Sequence, residues 1–579
     1  MSTFKELQRA AREASPDLPS LRLALTGDCA TQMLAAAVSG EAALRGFRLD
    51  LFEADYDQVE RSLADPQSDL RLFSPEVVVV FQSIQAFSRC HAAMPFEEKH
   101  LAAQHRLDFW RSVCSDEGLG TTKIICLNCP ESDDGVFGSF SNSIEASLLY
   151  QTRELNRGLA RLSQEFPNFF VCDLCALQAR IGQQRMFTPS IYASTDLTLS
   201  LETLPSVAAR LMDIVSALRG QFRKVLITDL DNTLWGGVVG DDGIEGIQIG
   251  HGLGIGKVFC EIQSWMKKLR ERGIVLCVVS KNDEAVAREP FESHPDMVLH
   301  IDDIAVFIAN WDNKADNVRR VGDILQIGFD QMVFLDDNPV ERAIVRENVE
   351  GICVPELPED PAEWLDFLAA ENLFETVSVG KADAERTAQY QAEQRRQTTA
   401  GLYTDEAAFL ASLQMKARVE GFTRFNIPRV AQLTQRSNQF NLRTVRYGEA
   451  DISALEADKS VHCMAFSLSD RFGDSGLVSA VILRKTDADT VFIDTWLMSC
   501  RVLKRGMEEF VMNSIVEAAV SLGARRITGE YRPTKKNAMV SGLLPRMGFS
   551  LTEHTDETDT YCLDIEGYEA RKVFIEKYQ

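Results

Sequence analysis

The stretch KVLITDLDNTLWGG, residues 224–237, decides how the centre of this 579-residue chain is expected to fold. Lys224–Thr228 is an apolar run of strand length, and Asp229 and Asp231 follow it directly. Because ligands bind beyond the carboxyl ends of strands in open parallel sheets, both carboxylates are predicted to project into a ligand site. A single Asp-x-Asp pair is also compatible with a solvated turn, so the prediction of a site depends on the residues that follow the neighbouring strands.

Polar side chains of the kinds that bind phosphate and metal ions follow other strands of the same region. They are Ser280 after Ile274–Val279, Lys314 in Asn310–Lys314, and Asp336 and Asp337 after Met332–Leu335. A hard cation prefers oxygen ligands, so Mg²⁺ is expected among the carboxylates. Its predicted ligands are Asp229, Asp231, Asp336 and Asp337, and the predicted phosphate-binding residues are Thr233, Ser280 and Lys314.

These residue types together suit phosphoryl transfer. Asp229 is the predicted nucleophile, because a carboxylate can attack phosphorus and form an aspartyl-phosphate. A cation removes the repulsion between that carboxylate and an anionic phosphate. Asp231 is predicted to protonate the leaving oxygen and later to activate water.

The four pieces, in this order, resemble the motifs of the haloacid dehalogenase superfamily of Mg²⁺ phosphatases and phosphotransferases. About 46 residues separate Thr233 from Ser280, and about 33 separate Ser280 from Lys314. Neither gap leaves room for a full cap domain, so the resemblance implies a Rossmann-like core with a minimal cap.

Further motifs resemble the FkbH-like family, subfamily IIIC of that superfamily. They are residues 229–243, SNQFNL at 437–442, DRFGDSG at 470–476 and MSCR at 498–501. The resemblance implies an enzyme that removes phosphate from 1,3-bisphosphoglycerate and loads the glyceryl unit on a phosphopantetheinylated acyl carrier protein. It also implies three parts: an SGNH-hydrolase-like (flavodoxin-like) domain, the phosphatase core, and an α+β acetyltransferase-like (GNAT-like) domain.

The mechanism of glyceryl transfer is open at this point. Attack by Asp229 on the acyl-phosphate phosphorus would release a free carboxylate and lose the activation that a thioester needs. Acyl transfer therefore requires a thiolate at the carbonyl carbon. Asp229 then acts on the 3-phosphate, or its Mg²⁺ site only binds a phosphate.

Cys500 is the candidate thiol, at the end of the predicted strand Val491–Met498. A basic run follows it and would favour a thiolate; the alternative is an inert, buried cysteine. The run also resembles the pyrophosphate loop of acetyltransferases, with Lys504 where a glycine is usual. The predicted carrier- or pantetheine-binding residues are Arg501, Lys504, Arg505 and Gly506.

The chain is expected to be multidomain α/β, because alternating apolar and helical segments give way to a different pattern near its end. Residues 1–215 and 220–375 are each predicted to form a doubly wound α/β unit. Residues 380–404 are predicted to form an exposed connecting helix. Residues 405–579 read as an α+β domain that begins with antiparallel strands.

Cysteines give two smaller hypotheses. Gly27-Asp28-Cys29 follows the first strand, where SGNH hydrolases carry Gly-Asp-Ser, but no histidine lies in the region expected to supply the base. The first domain is therefore predicted to be a non-hydrolytic scaffold or docking module. Cys126 with Cys129, and Cys172 with Cys175, are predicted to be buried and inert, with a zinc site as the alternative.

Bulk composition narrows the function classes. A net charge of −24 disfavours binding to bulk nucleic acid or anionic membranes. The apolar runs are too short to span a bilayer and the N-terminus lacks a secretory signal, so a cytoplasmic location is expected. Two rival functions stay open: a phosphatase for another phosphorylated metabolite, and a carrier-protein docking platform with a vestigial phosphatase core.

Overall fold

The first unit is built on a five-stranded parallel sheet. The strands are β1 (Ser20–Gly27), β2 (Arg48–Glu53), β3 (Val77–Phe81), β4 (Lys123–Leu127) and β5 (Phe169–Cys172), in the order β2-β1-β3-β4-β5. Every residue of β3 is buried, as expected of a central strand covered on both faces. This is the flavodoxin-like order of doubly wound sheets, so the predicted α/β class is confirmed here, whereas the SGNH-like assignment stays a prediction.

Helices lie between the strands of this sheet along the chain, in line with the predicted alternation of apolar and helical segments. Several begin with side-chain caps; Ser83 Oγ, for example, accepts a hydrogen bond from the backbone N–H of Ala86 at 3.1 Å. The α-helices of this unit are Phe4–Glu13, Gln32–Leu44, Val59–Ala64, Asp69–Phe73, Ile84–Ala93, Ala102–Cys114, Leu148–Glu165, Leu174–Ile181, Gln183–Met186, Pro189–Thr195 and Leu204–Leu218.

The computed structural model describes residues 2–378, 392, 396, 399, 403, 405–499, 502–555 and 557–578, without the side chains of Glu406 and Arg436. It divides into two units, Met1–Arg219 and Gly220–Gln579. Most of the predicted connecting helix at 380–404 lies outside the described residues. The domain boundaries proposed within the second unit stay predictions.

The second unit begins with a four-stranded parallel sheet. Its strands are β6 (Val225–Thr228), β7 (Val275–Ser280), β8 (Ile304–Ala309) and β9 (Met332–Leu335), in the order β8-β7-β6-β9. Alternate residues of β6 enter different cores: Leu226 lies in one cluster, and Val225 and Ile227 lie in the other. Both faces are therefore covered, by the helices Val239–Asp242, Ile255–Glu271, Glu284–Ser293, Lys314–Leu325, Pro339–Asn348 and Trp364–Glu371.

The sequence also predicts strands of this sheet at Val298–Ile301 and Gly351–Val354, and both predictions are wrong. Val298–Ile301 is not a strand, because the backbone N–H groups of Val298 and Leu299 donate to the Gln263 side chain instead of to a neighbouring strand. The strand begins later, as β8. Gly351–Val354 contributes only an isolated bridge between Cys353 and Val333.

The insert between β6 and β7 contains one short helix and one crossover helix. It holds no separate cap domain, as the spacing predicted.

The C-terminal part of the second unit carries an eight-stranded mixed sheet. Its strands are β10 (Met415–Glu420), β11 (Val461–Asp470), β12 (Gly473–Lys485), β13 (Thr490–Met498), β14 (Arg526–Tyr531), β15 (Ser550–His554), β16 (Asp559–Asp564) and β17 (Ile575–Tyr578), in the order β15-β16-β14-β13-β12-β11-β10-β17. β13 with β14 and β10 with β17 are parallel, and the other pairs are antiparallel.

The helices of this part are Glu406–Ser412, Ile427–Arg436, Glu449–Ala457, Met507–Ser521 and Leu543–Arg546. The order of antiparallel strands, long helix and further strands is the predicted α+β pattern. The GNAT-like assignment stays a prediction. Across the described part of the chain, no helix combines the length and apolarity needed to cross a bilayer.

Candidate active site

The loop after β6 is held beside the loop after β9. The backbone N–H of Asp229 donates to the carbonyl of Leu335 at 2.9 Å, which extends the pairing of the two strands by one residue. Asn232 has a φ of +55°, a left-handed conformation that asparagine tolerates, and its side chain accepts from the N–H of Gly237 at 2.9 Å. Asp229 and Asp336 thus lie side by side at the carboxyl edge of the sheet.

Three carboxylates converge at this edge. One oxygen from each of Asp229, Asp336 and Asp337 lies within 4.8 Å of the others. The Lys314 Nζ lies 3.0 Å from an oxygen of Asp229 and 2.5 Å from one of Asp336. Both Asp336 and Lys314 are almost fully buried, at 0% and 3% exposure, so these charges interact in a medium of low dielectric.

The charges of the three carboxylates and Lys314 favour the binding of a cation. Burial and the neighbouring Asp229 carboxylate raise the pKa of Asp336 to about 7. Burial works against the charge of Lys314, but attraction to Asp229 and Asp336 outweighs it and raises the pKa of the lysine. With all groups ionised, three carboxylates and one ammonium leave two negative charges.

The residues present fit a hard divalent cation. Among the described residues, the buried Oδ1 atom of Asp229 has no hydrogen-bond partner. An unpartnered carboxylate oxygen in a cluster with excess negative charge is a suitable ligand for such an ion, and the donor set is entirely oxygen. Asp229, Asp336 and Asp337 would hold it.

Neighbouring groups position the Asp336–Asp337 loop. The Arg342 guanidinium donates to the carbonyls of both residues at 2.8 Å, and the N–H of Asn338 donates to Asp336 at 2.9 Å. Thr233, predicted to bind phosphate, accepts from the Asp337 N–H at 3.1 Å. Thr233 therefore ties the loop after β6 to the loop after β9.

Asp231 was predicted both as proton donor and as a metal ligand, and the structure does not bring its side chain into the carboxylate group. Its Oδ1 accepts from the indole N–H of Trp235 and from the N–H of Val239, both at 2.9 Å. Its Oδ2 accepts from the amide of Asn282 at 3.1 Å. Burial raises the pKa of this carboxyl, although the three hydrogen bonds oppose the shift.

The other predicted phosphate ligands lie on the adjoining strand ends. Ser280 is buried at the end of β7, and its carbonyl accepts from the N–H of Asn310 at 3.2 Å. Asn313 caps the following helix by accepting from the N–H of Ala315 at 2.8 Å. This cap fixes the start of the helix and places its first residue, Lys314, beside Asp229.

The predicted carrier-binding residues of the C-terminal part are only partly described. Cys500 and Arg501 lie outside the described residues. Arg505 is buried and lies 3.4 Å from Asp470 in an ion pair, so it is not presented to solvent. Lys504 is exposed and has a φ of +61°, in the left-handed region that favours glycine.

Most cysteines of the first unit are buried, whereas Cys175 is half-buried and Cys90 is exposed. Burial strongly raises the pKa of Cys29, which contacts the hydroxyl of Thr198 at 3.8 Å and is a poor nucleophile in this state. Among described residues, the only potential metal-binding group with clustered ligand atoms is the carboxylate one. The sulfur atoms of Cys126, Cys129, Cys172 and Cys175 form no such group there.

Three residues that hold the site were missed from the sequence: Trp235, Asn282 and Arg342. Trp235 and Asn282 lie next to predicted residues, but the hydrogen bonds they donate depend on loop geometry. Arg342 had no distinguishing signal, because a lone arginine in a helix usually faces solvent.

A family model and a solved structure both match large parts of this chain. The family model described as FkbH, N-terminal domain, matches residues 22–216. The N-terminal part of a Bacteroides fragilis protein, which contains a phosphatase domain and was crystallised with Mg, is 50% identical; the match covers 65% of this chain and 100% of that chain, with a TM-score of 0.64.

Two acetyltransferases also match. The spermidine N-acetyltransferase of Vibrio cholerae is 11% identical over 26% of this chain and 96% of its own, with a TM-score of 0.22. An N-acetyltransferase of Campylobacter jejuni is 12% identical over 26% of this chain and 97% of its own, with a TM-score of 0.19. TM-scores this low support no conclusion about the fold or function of this chain. No curated protein matches the chain.

Proposed function

The chain belongs to the FkbH-like family of the haloacid dehalogenase superfamily, and from that premise we propose that it is a Mg²⁺-dependent phosphatase and glyceryltransferase. The observation that carries the phosphatase part is the carboxylate group of buried Asp229 and Asp336 and half-buried Asp337, in which Lys314 pairs with Asp229 and Asp336. The Bacteroides fragilis relative that was crystallised with Mg supports magnesium as the cation.

The chain's own residues suit a two-step transfer. Bound Mg²⁺ would neutralise the phosphoryl oxygens. An Asp229 oxygen forms a bond to phosphorus while the bond to the leaving oxygen breaks, and Asp231 gives that oxygen its proton. Water then attacks phosphorus, Asp231 takes a proton from it, and the Asp229 carboxylate is released with inorganic phosphate.

The proposed substrate is 1,3-bisphosphoglycerate, and Asp229 removes its 3-phosphate. The Cys500 thiolate attacks the carbonyl carbon of the acyl phosphate, and phosphate leaves with the electron pair of the broken C–O bond. The thiol of a phosphopantetheinylated acyl carrier protein then takes the glyceryl group and releases Cys500. This part rests on the family and on the sequence around residue 500.

Intact mass spectrometry tests the transfer. Protein, 1,3-bisphosphoglycerate, Mg²⁺ and a phosphopantetheinylated carrier protein are mixed, and the carrier is weighed. A glyceryl increment that disappears with Cys500→Ala supports the proposal. Phosphate release without an increment on a panel of carriers would instead favour hydrolysis of another phosphorylated metabolite.

Replacing the nucleophile tests the phosphatase part. We expect Asp229→Asn to lower phosphate release by at least about 10³-fold, the scale on which removal of a nucleophile acts. Asp316→Asn makes the same change in charge in an exposed pair with Arg319 and is the control. Full phosphate release by Asp229→Asn would favour a docking platform with a vestigial phosphatase core.

A further inference from the structure

The carboxyl of Asp231 is held by three hydrogen bonds that treat its two oxygens differently. Oδ1 accepts from two donors, the Trp235 indole and the Val239 backbone, each at 2.9 Å. An sp² oxygen has two lone pairs, so this atom is saturated as an acceptor. Oδ2 accepts only from Asn282, at 3.1 Å.

The orientation of the Asn282 amide is itself determined. Its Oδ1 accepts from the backbone N–H of Asp283 at 2.8 Å. The Nδ2 group therefore points to Asp231, where it can only donate. Asn282 is 5% exposed, so water has little access to compete for these groups.

The Trp235 indole is equally constrained. The side chain is fully buried, and its ring packs against Phe291 with the centroids 6.0 Å apart and the planes at 73°. The backbone turns back at this point, because the N–H of Leu234 donates to the carbonyl of Leu230 at 2.7 Å. The indole N–H is thus held against Asp231 by packing and by the turn.

We propose that Trp235 and Asn282 are positioning residues that make Oδ2 the proton-carrying oxygen of Asp231. A proton on Oδ1 would displace one of two N–H donors, whereas Oδ2 keeps a free lone-pair position. The proposal rests on the proposed phosphatase function and adds which atom gives and takes the proton, and which side chains decide it.

A proton donor fixed in this way predicts which type of P–O bond the site cleaves. In the first step the P–O bond breaks, its electron pair goes to the leaving oxygen, and the proton of Oδ2 goes to the same oxygen. An alkoxide is a poor leaving group and needs that proton, whereas a carboxylate leaves without it. A fixed proton donor therefore points to the phosphate ester of an alcohol as the substrate of Asp229, and not to an acyl phosphate.

Leaving-group dependence tests the proposal in the full chain with Mg²⁺. The probes are glycerol 3-phosphate, which leaves as an alkoxide, and acetyl phosphate, which leaves as a carboxylate. The variants Trp235→Phe and Asn282→Ala each remove one donor. We expect kcat/KM for glycerol 3-phosphate to fall by about tenfold or more, and kcat/KM for acetyl phosphate to stay within about threefold, since general acid catalysis contributes about 10²–10⁴-fold.

Trp364→Phe is the matched control. Trp364 is buried in the same core and donates its indole N–H to the Pro358 carbonyl at 2.8 Å, and not to Asp231. It should cost stability as Trp235→Phe does, but leave the ratio of the two kcat/KM values unchanged.

Asn282→Ala keeps the proposal testable if Trp235→Phe does not fold. Equal losses on both probes, or no loss in either variant, would overturn the positioning role. A wild-type protein that releases phosphate neither from these probes nor from 1,3-bisphosphoglycerate would overturn the proposed function and this inference with it.

Discussion

At the scale of single residues, the site is governed by the repulsion between carboxylates that lie close together. Asp336 is fully buried next to Asp229, and Lys314 bridges the two carboxylates. Burial and, after it, repulsion from Asp229 raise the pKa of Asp336 to about 7, and the attraction of Lys314 only partly opposes them. A divalent cation would compete with the proton for this carboxylate.

This competition predicts pH-dependent metal binding. Because burial and Asp229 raise the pKa of Asp336 to about 7, the carboxyl is protonated below that pH and must lose its proton when Mg²⁺ binds. The apparent Mg²⁺ affinity should fall about tenfold for each pH unit below about 7 and level off above it. Isothermal titration of the metal at pH 6, 7 and 8 measures this.

The matched variant for that titration is Asp336→Asn, which has no proton to displace. It should bind Mg²⁺ more weakly and with little dependence on pH in the same range. Wild-type affinity that does not change between pH 6 and pH 8 would contradict the assignment of the titrating ligand to Asp336.

At the scale of elements, one glycine decides how two helices of the first unit pack. A Cβ atom on Gly40, in the helix Gln32–Leu44, would lie 2.1 Å from the carbonyl oxygen of Leu7 in the helix Phe4–Glu13. The obstacle is backbone and cannot rotate away. The two helices therefore approach closely only because position 40 has no side chain.

We predict that Gly40→Ala is destabilising, although the same change in a helix interior usually stabilises by about 1 kcal/mol. The collision should cost about 1–3 kcal/mol, as overpacking does. Hydrogen exchange of the amides in Gln32–Leu44 reports the loss for that element alone.

Gly252→Ala is the control for this prediction. A Cβ atom there meets nothing within 4 Å, and the residue is exposed. Its effect should stay within about 0.5 kcal/mol. Unchanged or slower exchange in Gly40→Ala would mean that the helices can separate without loss.

At the scale of the whole molecule, the phosphatase site belongs to one unit. The carboxylate group, Lys314 and the residues around Asp231 all lie between Asp229 and Arg342, within Gly220–Gln579. The C-terminal part lies in the same unit and contacts the phosphatase part through Lys536, whose Nζ is 2.6 Å from Asp330.

We therefore expect residues 220–579, expressed alone, to keep Mg²⁺-dependent release of phosphate from p-nitrophenyl phosphate. The rate should stay within about threefold of the full chain, because general acid, nucleophile and metal ligands are all retained. Circular dichroism checks that the fragment folds. A folded but inactive fragment would show that the first unit is needed for the site to work.

Sequence alone determined the α/β class, most strands, and the identity of the residues at the carboxyl edge of the second sheet. Apolar runs of strand length are a local property, and a parallel sheet brings the ends of its strands to one edge, so Asp229, Asp336 and Lys314 could be expected to meet. Tertiary structure alone decided that the Asp231 carboxylate accepts hydrogen bonds from Trp235, Val239 and Asn282 and is not one of the three clustered carboxylates, and that Arg505 is buried against Asp470. It also decided that Val298 and Leu299 bond to a glutamine side chain instead of a strand. These outcomes depend on hydrogen bonds between residues distant in the chain or set by loop geometry, which no periodicity records.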